Sequence, residues 1–336
     1  MARVIGFGEL LLRLKSPGHE RLLQSPRLEA SFGGAEFNVL ASLAQLGHFA
    51  AYATALPAHA LGRAALDTIR SYGIEPIVAM RPGRMGTYFL EAGVDLRAAR
   101  VIYDRAGSAF AELDAAEFDW RKSLAGAALL HAGGITAALG ESPLRALQEA
   151  LHAARALDLR VSFDLNMRPS LWRGRDPHRI VPALIEQATI LFAGPDDWPY
   201  CLGTTEPDAV ASAFERFEKF GSAMIARYPK LSAVICCLRF SDGEEQRLAA
   251  VCYSRKQGMQ RTAERRVRRV VDRIGTGDAF VAGFLHKKLR MCQWQPALEF
   301  GLAACMLKHG VPGDINRVDA EEIAAACSDG DGRVVR

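Results

Sequence analysis

Segments patterned for strands alternate with segments patterned for helices along almost the whole chain, and this alternation limits the fold more than any other feature. "RVIGFGELLL" (3–12) opens as a strand, and "AEFNVLASLAQLG" (35–47) has apolar residues at helical spacing and stops on Gly47. "ALLHAGG" (128–134), "RVSFDLN" (160–166), "TILFAG" (189–194) and "SAVICCL" (232–238) read as short buried strands. Helical stretches lie between them. "ESPLRALQEALHAARALD" (141–158) puts Leu144, Leu147, Leu151, Ala154 and Leu157 on one face. "DPHRIVPALIEQA" (176–188) starts with Asp176 as N-cap and Pro177 at the first helical position. "PDAVASAFERFEKFG" (207–221), "PALEFGLAACMLKHG" (296–310) and "DAEEIAAAC" (319–327) complete the series.

Such alternation predicts an α/β protein with a central, mostly parallel sheet and helices on both faces, because each crossover helix must cover the sheet. Two early regions, about 12–35 and 84–105, break the rhythm with short alternating segments. They predict a small projecting β-sheet, a lid on the main body. There is no Gly-, Pro- or Ser-rich linker and no repeat, so residues 1–336 are expected to form a single domain.

The net charge of +4 is too mild to imply a nucleic-acid partner. "QRTAERRVRRV" (260–270) holds five arginines but no interleaved aromatic, and reads as a solvated strand or hairpin face. The seven cysteines form no CxxC and sit mostly in apolar runs, which suits a reducing cytoplasm better than a disulfide framework or zinc site. No apolar run is long enough for a membrane span, and the N-terminus lacks a signal-peptide core. A cytoplasmic protein without membrane attachment is expected.

The motifs narrow the chemistry. "GFGELL" (6–11) has Leu11 where a dinucleotide fingerprint needs its third glycine, so a Rossmann dehydrogenase is excluded; the stretch is either a tight turn ending a core strand or one that sets Glu9 at the C-terminal strand edge, where open α/β sheets bind ligands. "FGGAEFN" (32–38) sets a diglycine before a helix, either a plain turn or a place of close ligand approach. "VIYDRAGSA" (101–109) and "FDLNMRPSLW" (163–172) bring Tyr103, Arg105, Asn166 and Arg168, with guanidiniums suited to a carboxylate or phosphate unless they are ordinary surface charges. "VVDRIGTGDAF" (270–280) is the most informative stretch. Gly275, Thr276 and Gly277 open a helix whose first amides are unpaired, which makes an anion hole. Asp278 beside it would repel a phosphate but can take a proton from a hydroxyl attacking phosphorus, the role of a general base; a simple capping aspartate is the alternative.

Asp272-x-x-Gly275-x-Gly277-Asp278, with "GGAEFN" and "DLNMR" upstream in the same order, resembles the ribokinase-like (PfkB) carbohydrate kinases over nearly the whole chain. Within that family "GGAEFNV", "YDRAGSA", "DLNMRPSLW" and "KHGVPGDIN" look most like 2-keto-3-deoxygluconate kinases. The resemblance implies ATP as donor with Mg²⁺, K⁺ as a further candidate cofactor, and a sugar acid as acceptor. It implies that Gly33, Gly34 and Asn38 contact the sugar and that Tyr88, Tyr103, Arg105 and Arg168 surround its keto-acid end. Asp278 would deprotonate the C6 hydroxyl while Gly275, Thr276 and Gly277 stabilise the phosphoryl group. Asn166 and Arg168 would approach the ATP phosphates, and Asp314 would hold a substrate hydroxyl. A homo-oligomer, a dimer through the lids or larger, is expected.

Two stretches depart from the family pattern. The N-x-x-E element that organises Mg²⁺ through water is replaced by "AGPDDW", with Gly194 and Asp197 at its ends. The nucleotide loop reads "CCLRFSDGEE" (236–245), leaving Arg239 and Gly243 as its nucleotide-binding candidates. These departures keep two rivals open: a fructokinase-like enzyme of the same fold, and a sugar-sensing relative without catalysis. The arginine pair argues against a neutral sugar, and the intact Gly275–Asp278 unit argues against a sensor.

Overall fold

The computed structural model describes residues 1–206, 211–242, 245–267 and 269–328. The main sheet is built from β1 (Arg3–Phe7), β4 (Phe49–Pro57), β5 (Glu75–Arg81), β8 (Leu129–Gly133), β9 (Arg160–Asp164), β10 (Ile190–Phe192), β11 (Ala233–Asp242), β12 (Glu245–Ser254), β13 (Gly258–Arg261) and β14 (Arg265–Val267). Its strand order is β13-β12-β11-β10-β9-β8-β1-β4-β5, with β14 also pairing β12. From β5 to β11 every neighbouring pair is parallel; β12, β13 and β14 add on antiparallel. A separate four-stranded sheet has the order β3-β2-β6-β7, formed by β2 (Leu11–Lys15), β3 (Glu29–Gly33), β6 (Thr87–Glu91) and β7 (Arg100–Asp104). Both irregular regions of the sequence therefore contribute their strands to this smaller sheet.

Side-chain alternation along the parallel strands supplies both faces of the core. Ile5, Leu130, Leu191 and Val234 point to one side, under the helices Glu141–Ala156, Pro177–Ile185 and Ala213–Arg227. Val4, Leu129, Ile190 and Ile235 point to the other, under Ala35–Gln45, Ala60–Ser71, Thr276–Leu289 and Trp294–Lys308. Each fully buried Leu, Ile or Phe contributes about 1.5–3 kcal/mol relative to an exposed one. Helix starts follow local chemistry: the Asp176 side chain accepts from His178 N with Pro177 next in line, and Ser212 and Glu215 form a capping box.

The structure corrects several boundaries. The helix read over 207–221 runs from Ala213 to Arg227; residues 207–210 lie outside the described part. Gly221 is inside this helix rather than at its end, and its lack of a side chain makes room for Tyr253. Sequence reading passed over β4, β5 and β12, while the strand or hairpin read over 260–270 is present. The arginine-rich run forms β13, β14 and their connection, apart from Arg268, which lies outside the described residues. Arg261 lies 4.4 Å from the Phe214 ring centroid, and Glu264 pairs with Arg247 at 2.6 Å. All seven cysteines are free thiols. Among the described residues no helix is long and apolar enough to cross a membrane.

Candidate active site

In an open α/β sheet the carboxyl ends of the strands leave a crevice for ligands. Here β1, β8, β9, β10 and β11 end around a cavity of about 680 Å³, and the small sheet forms the opposite wall. Every candidate within the described residues reaches this cavity: Gly33, Gly34, Asn38, Tyr88, Tyr103, Arg105, Asn166, Arg168, Asp197, Arg239, Gly275, Thr276, Gly277, Asp278 and Asp314 all line it. Gly243 lies outside the described residues.

The phosphate-type turn is built as its composition requires. Gly275 has φ of +78°, and a Cβ there would strike the Asp314 carbonyl oxygen, so glycine is needed for both conformation and space. Thr276 is buried and its Oγ1 donates to Arg273 O at 3.0 Å. At Gly277 a Cβ would meet nothing within 4 Å, which leaves open room beside the unpaired first amides of helix Thr276–Leu289. An anion fits such a cradle without displacing protein atoms.

Asp278 lies in the first turn of that helix and is half-buried. Asn38 Nδ2 donates to its Oδ2 at 2.7 Å, which joins the helix after the diglycine to the Gly275–Asp278 turn. Burial pushes the Asp278 carboxyl up to about 7, although the Asn38 hydrogen bond works the other way. Asp164, at the end of β9, is likewise pushed up to about 7, first by burial and then by the charge of Asp278. Arg168 offsets part of both shifts, and this exposed guanidinium makes no salt bridge among the described residues. Asn166 has a left-handed φ of +39°, a conformation Asn tolerates better than most residues.

At the small-sheet end, Tyr88 and Tyr103 are cross-strand partners with ring centroids 5.8 Å apart. Tyr103 is 50% exposed and Arg105 stands 5.6 Å from its ring centroid. Arg105 is buried and already paired: its Nε donates to Glu9 Oε2 at 2.7 Å, its NH2 also reaches that oxygen, and Ser108 Oγ donates to Glu9 Oε1. Glu9 thus orients Arg105 from the end of β1. Asp314 is also engaged, accepting from Tyr88 OH and from Arg13. The diglycine is fixed by packing: a side chain on Gly33 would strike the Asp314 carboxylate, and one on Gly34 the Glu9 carbonyl.

Asp197 Oδ2 accepts from Gly194 N at 2.9 Å, and burial pushes its carboxyl up to about 6. Among the described residues no group of His, Cys, Asp and Glu side chains is placed to hold a metal ion directly. Asp197 keeps its other carboxylate oxygen for a cation or its water, an oxygen environment of the kind suited to Mg²⁺.

Sequence reading missed Glu36, Arg13 and Arg273. Glu36 is buried against Gly8 and Gly133 on the cavity floor, and burial pushes its carboxyl up to about 8. Its signal was an acid inside the otherwise small and apolar "GGAEF". Arg13 showed itself as a lone charge between leucines in "LLLRL", and Arg273 directly follows Asp272 in the phosphate-type turn.

A crevice at the strand ends, a helix-start anion cradle and a carboxylate beside it define a phosphotransferase that acts on a small polar acceptor. The chain belongs to the PfkB family of carbohydrate kinases, whose pfkB family carbohydrate kinase profile matches residues 1–321. It is 32% identical to a 2-dehydro-3-deoxygalactonokinase of Haloferax volcanii, over 100% of this chain and 99% of that one. It is 26% identical to a 2-dehydro-3-deoxygluconokinase of Thermoproteus tenax, over 97% of this chain and 95% of that one. The crystal structure of a 2-dehydro-3-deoxygluconokinase from Thermotoga maritima superposes with a TM-score of 0.91 at 34% identity, covering 98% of this chain and 100% of the other. The chain is accordingly a carbohydrate kinase of ribokinase-like fold.

Proposed function

We propose that this protein transfers the γ-phosphoryl group of ATP to the C6 hydroxyl of 2-keto-3-deoxygluconate, giving the 6-phosphate and ADP. The observation that carries the reading is Asp278, held by Asn38 beside the open cradle at Gly277 and raised to about 7 by burial. A carboxylate near neutrality is a competent acceptor for a hydroxyl proton at the moment that oxygen bonds to phosphorus and ADP departs. The first amides of helix Thr276–Leu289 receive the charge that develops on the phosphoryl oxygens. Bound Mg²⁺ would neutralise the nucleotide phosphates, with Asp197 holding its hydration shell; Asn166, Arg168 and Arg239 line the same cavity on the nucleotide side of this reading. Gly33, Gly34 and Asn38 would seat the sugar, with Asp314 turned to a hydroxyl. Arg105 and Arg168 would grip the carboxylate from the two walls, and Tyr88 and Tyr103 would pack against the keto-acid end. The small sheet then acts as the lid.

The Haloferax volcanii relative favours a second reading, in which the acceptor is the galactonate epimer. A coupled ADP-release assay with both keto-deoxy acids and with fructose separates these possibilities. The proposal expects kcat/KM highest for keto-deoxygluconate. A preference for the epimer moves the assignment to the second reading, and a preference for fructose removes the sugar acid from it.

A further inference from the structure

Arg13 occupies the middle of β2 and is 2% exposed, between Leu12 and Leu14. Arginines are seldom buried unless they are paired. Its NH2 donates to Asp272 Oδ2 at 2.7 Å, and its NH1 donates to Asp314 Oδ1. Both acids belong to segments that build the phosphate-type turn. Asp272 Oδ1 accepts from Ile274 N at 3.0 Å and its Oδ2 from Gly313 N at 3.1 Å. Asp314 lies against Gly275 so closely that no side chain fits between them. In the β2–β6 register the residue opposite Arg13 is Tyr88, whose hydroxyl donates to the same Asp314 carboxylate. Lys308, fully buried, donates Nζ to Val311 O at 2.8 Å and sets a second cation near the two acids.

We infer that Arg13 is a positioning residue for phosphoryl transfer: its planar fork, reaching across from the small sheet, fixes the 272–278 turn and the 311–314 loop relative to the sugar-facing wall. Two carboxylates from two segments are held at once, which a lysine ammonium cannot reproduce in the same plane. The anion cradle is consequently in register only while the small sheet is in place. This deepens the kinase reading and rests on it.

The test compares wild type with Arg13→Lys, Arg13→Met, Tyr88→Phe and Lys15→Gln. Lys15 lies on the same strand, pairs with the exposed Glu29 at 3.1 Å, and serves as control. For each, kcat and KM for the sugar acid, the melting temperature and amide hydrogen exchange over 270–280 and 310–316 are measured. Arg13→Lys is expected to lower kcat about 10–100-fold with KM changed less than about threefold, since displacement of about 1 Å at a reacting centre costs roughly 10²-fold. Exchange should quicken in the two segments and stay unchanged in helix Glu141–Ala156. Tyr88→Phe should quicken exchange in 310–316 alone, and Lys15→Gln should match wild type. Turnover per folded molecule within twofold of wild type in Arg13→Lys, or unchanged exchange in both segments, overturns the inference. Should Arg13→Met not fold, Arg13→Lys and Tyr88→Phe still decide it. Should wild type phosphorylate no sugar acid, the functional reading fails while the exchange data still judge Arg13.

Discussion

The chemistry turns on a few side chains whose surroundings set their roles. Asp278 is the sharpest case. Asp278→Asn keeps the shape and loses the proton acceptor, so kcat should fall by about 10²–10⁴-fold. The sugar-acid dissociation constant, measured by calorimetry without nucleotide, should change little; a variant that turns over at the wild-type rate removes Asp278 from the mechanism. Arg105 is subtler because Glu9 already faces it. Arg105→Ala alone strands a buried carboxylate and should destabilise the fold. Combining it with Glu9→Gln restores stability while keeping the site one guanidinium short. In that double variant the ratio of kcat/KM for keto-deoxygluconate to that for fructose should drop about 10–100-fold, the equivalent of a charge-assisted bond of roughly 1.5–3 kcal/mol. An unchanged ratio means that Arg105 does not read the carboxylate.

At the scale of elements, the helix Thr276–Leu289 matters most, since it carries both the cradle and Asp278. It is apolar nearly all round and lies between the sheet and the helix Trp294–Lys308. Gly283 and Gly301 allow these helices to approach: a Cβ on Gly283 would sit 2.9 Å from Ala304 Cβ. Gly283→Val should therefore cost about 1–3 kcal/mol by overpacking. Because a shift of this helix moves Asp278, kcat should fall together with the melting temperature; full activity in a destabilised variant would detach the helix contact from catalysis. The edges of the small sheet give another expectation. Both β3 and β7 are largely exposed, and Ile102 is 54% exposed on β7. Bare strand edges invite pairing, so a homodimer through the small sheets is expected by light scattering at micromolar concentration, and Ile102→Asp should dissociate it. A wild-type monomer contradicts this.

The whole molecule stores its ionisation pattern as a pH dependence. Glu36, Asp164 and Asp278 are raised by burial, to about 8, 7 and 7. Each binds a proton more tightly folded than unfolded, so its stabilisation is complete below the unfolded value and is lost as pH rises through the folded one. His131 and His286 are lowered by burial to about 4, and their contribution is lost as pH falls below the ordinary histidine value of roughly 6.5. The unliganded protein should thus gain melting temperature between pH 8 and about 6.5, then level off below. Glu36→Gln should flatten the upper slope; a melting temperature that rises with pH across that interval refutes the scheme. Much of this protein was determined by sequence alone. The alternation of buried apolar strands and amphipathic helices points to a covered, mostly parallel sheet, since crossover helices bury their apolar faces on it. Asp176, Pro177 and the Gly275–Asp278 turn act through neighbours a few residues away, so local chemistry was enough to find them. Tertiary structure decided what depends on distant partners. Gly221 reads as a helix end until Tyr253 is packed against it. Arg105 reads as a free cation until β7 brings it to Glu9, ninety-six positions away in the chain. Glu36 goes unnoticed until the segments ending β1 and β8 close on it at Gly8 and Gly133, and Arg13 until Asp272 and Asp314 fold back over it. Burial and pairing arise from long-range contacts, and a one-dimensional pattern carries no record of which distant residues will meet.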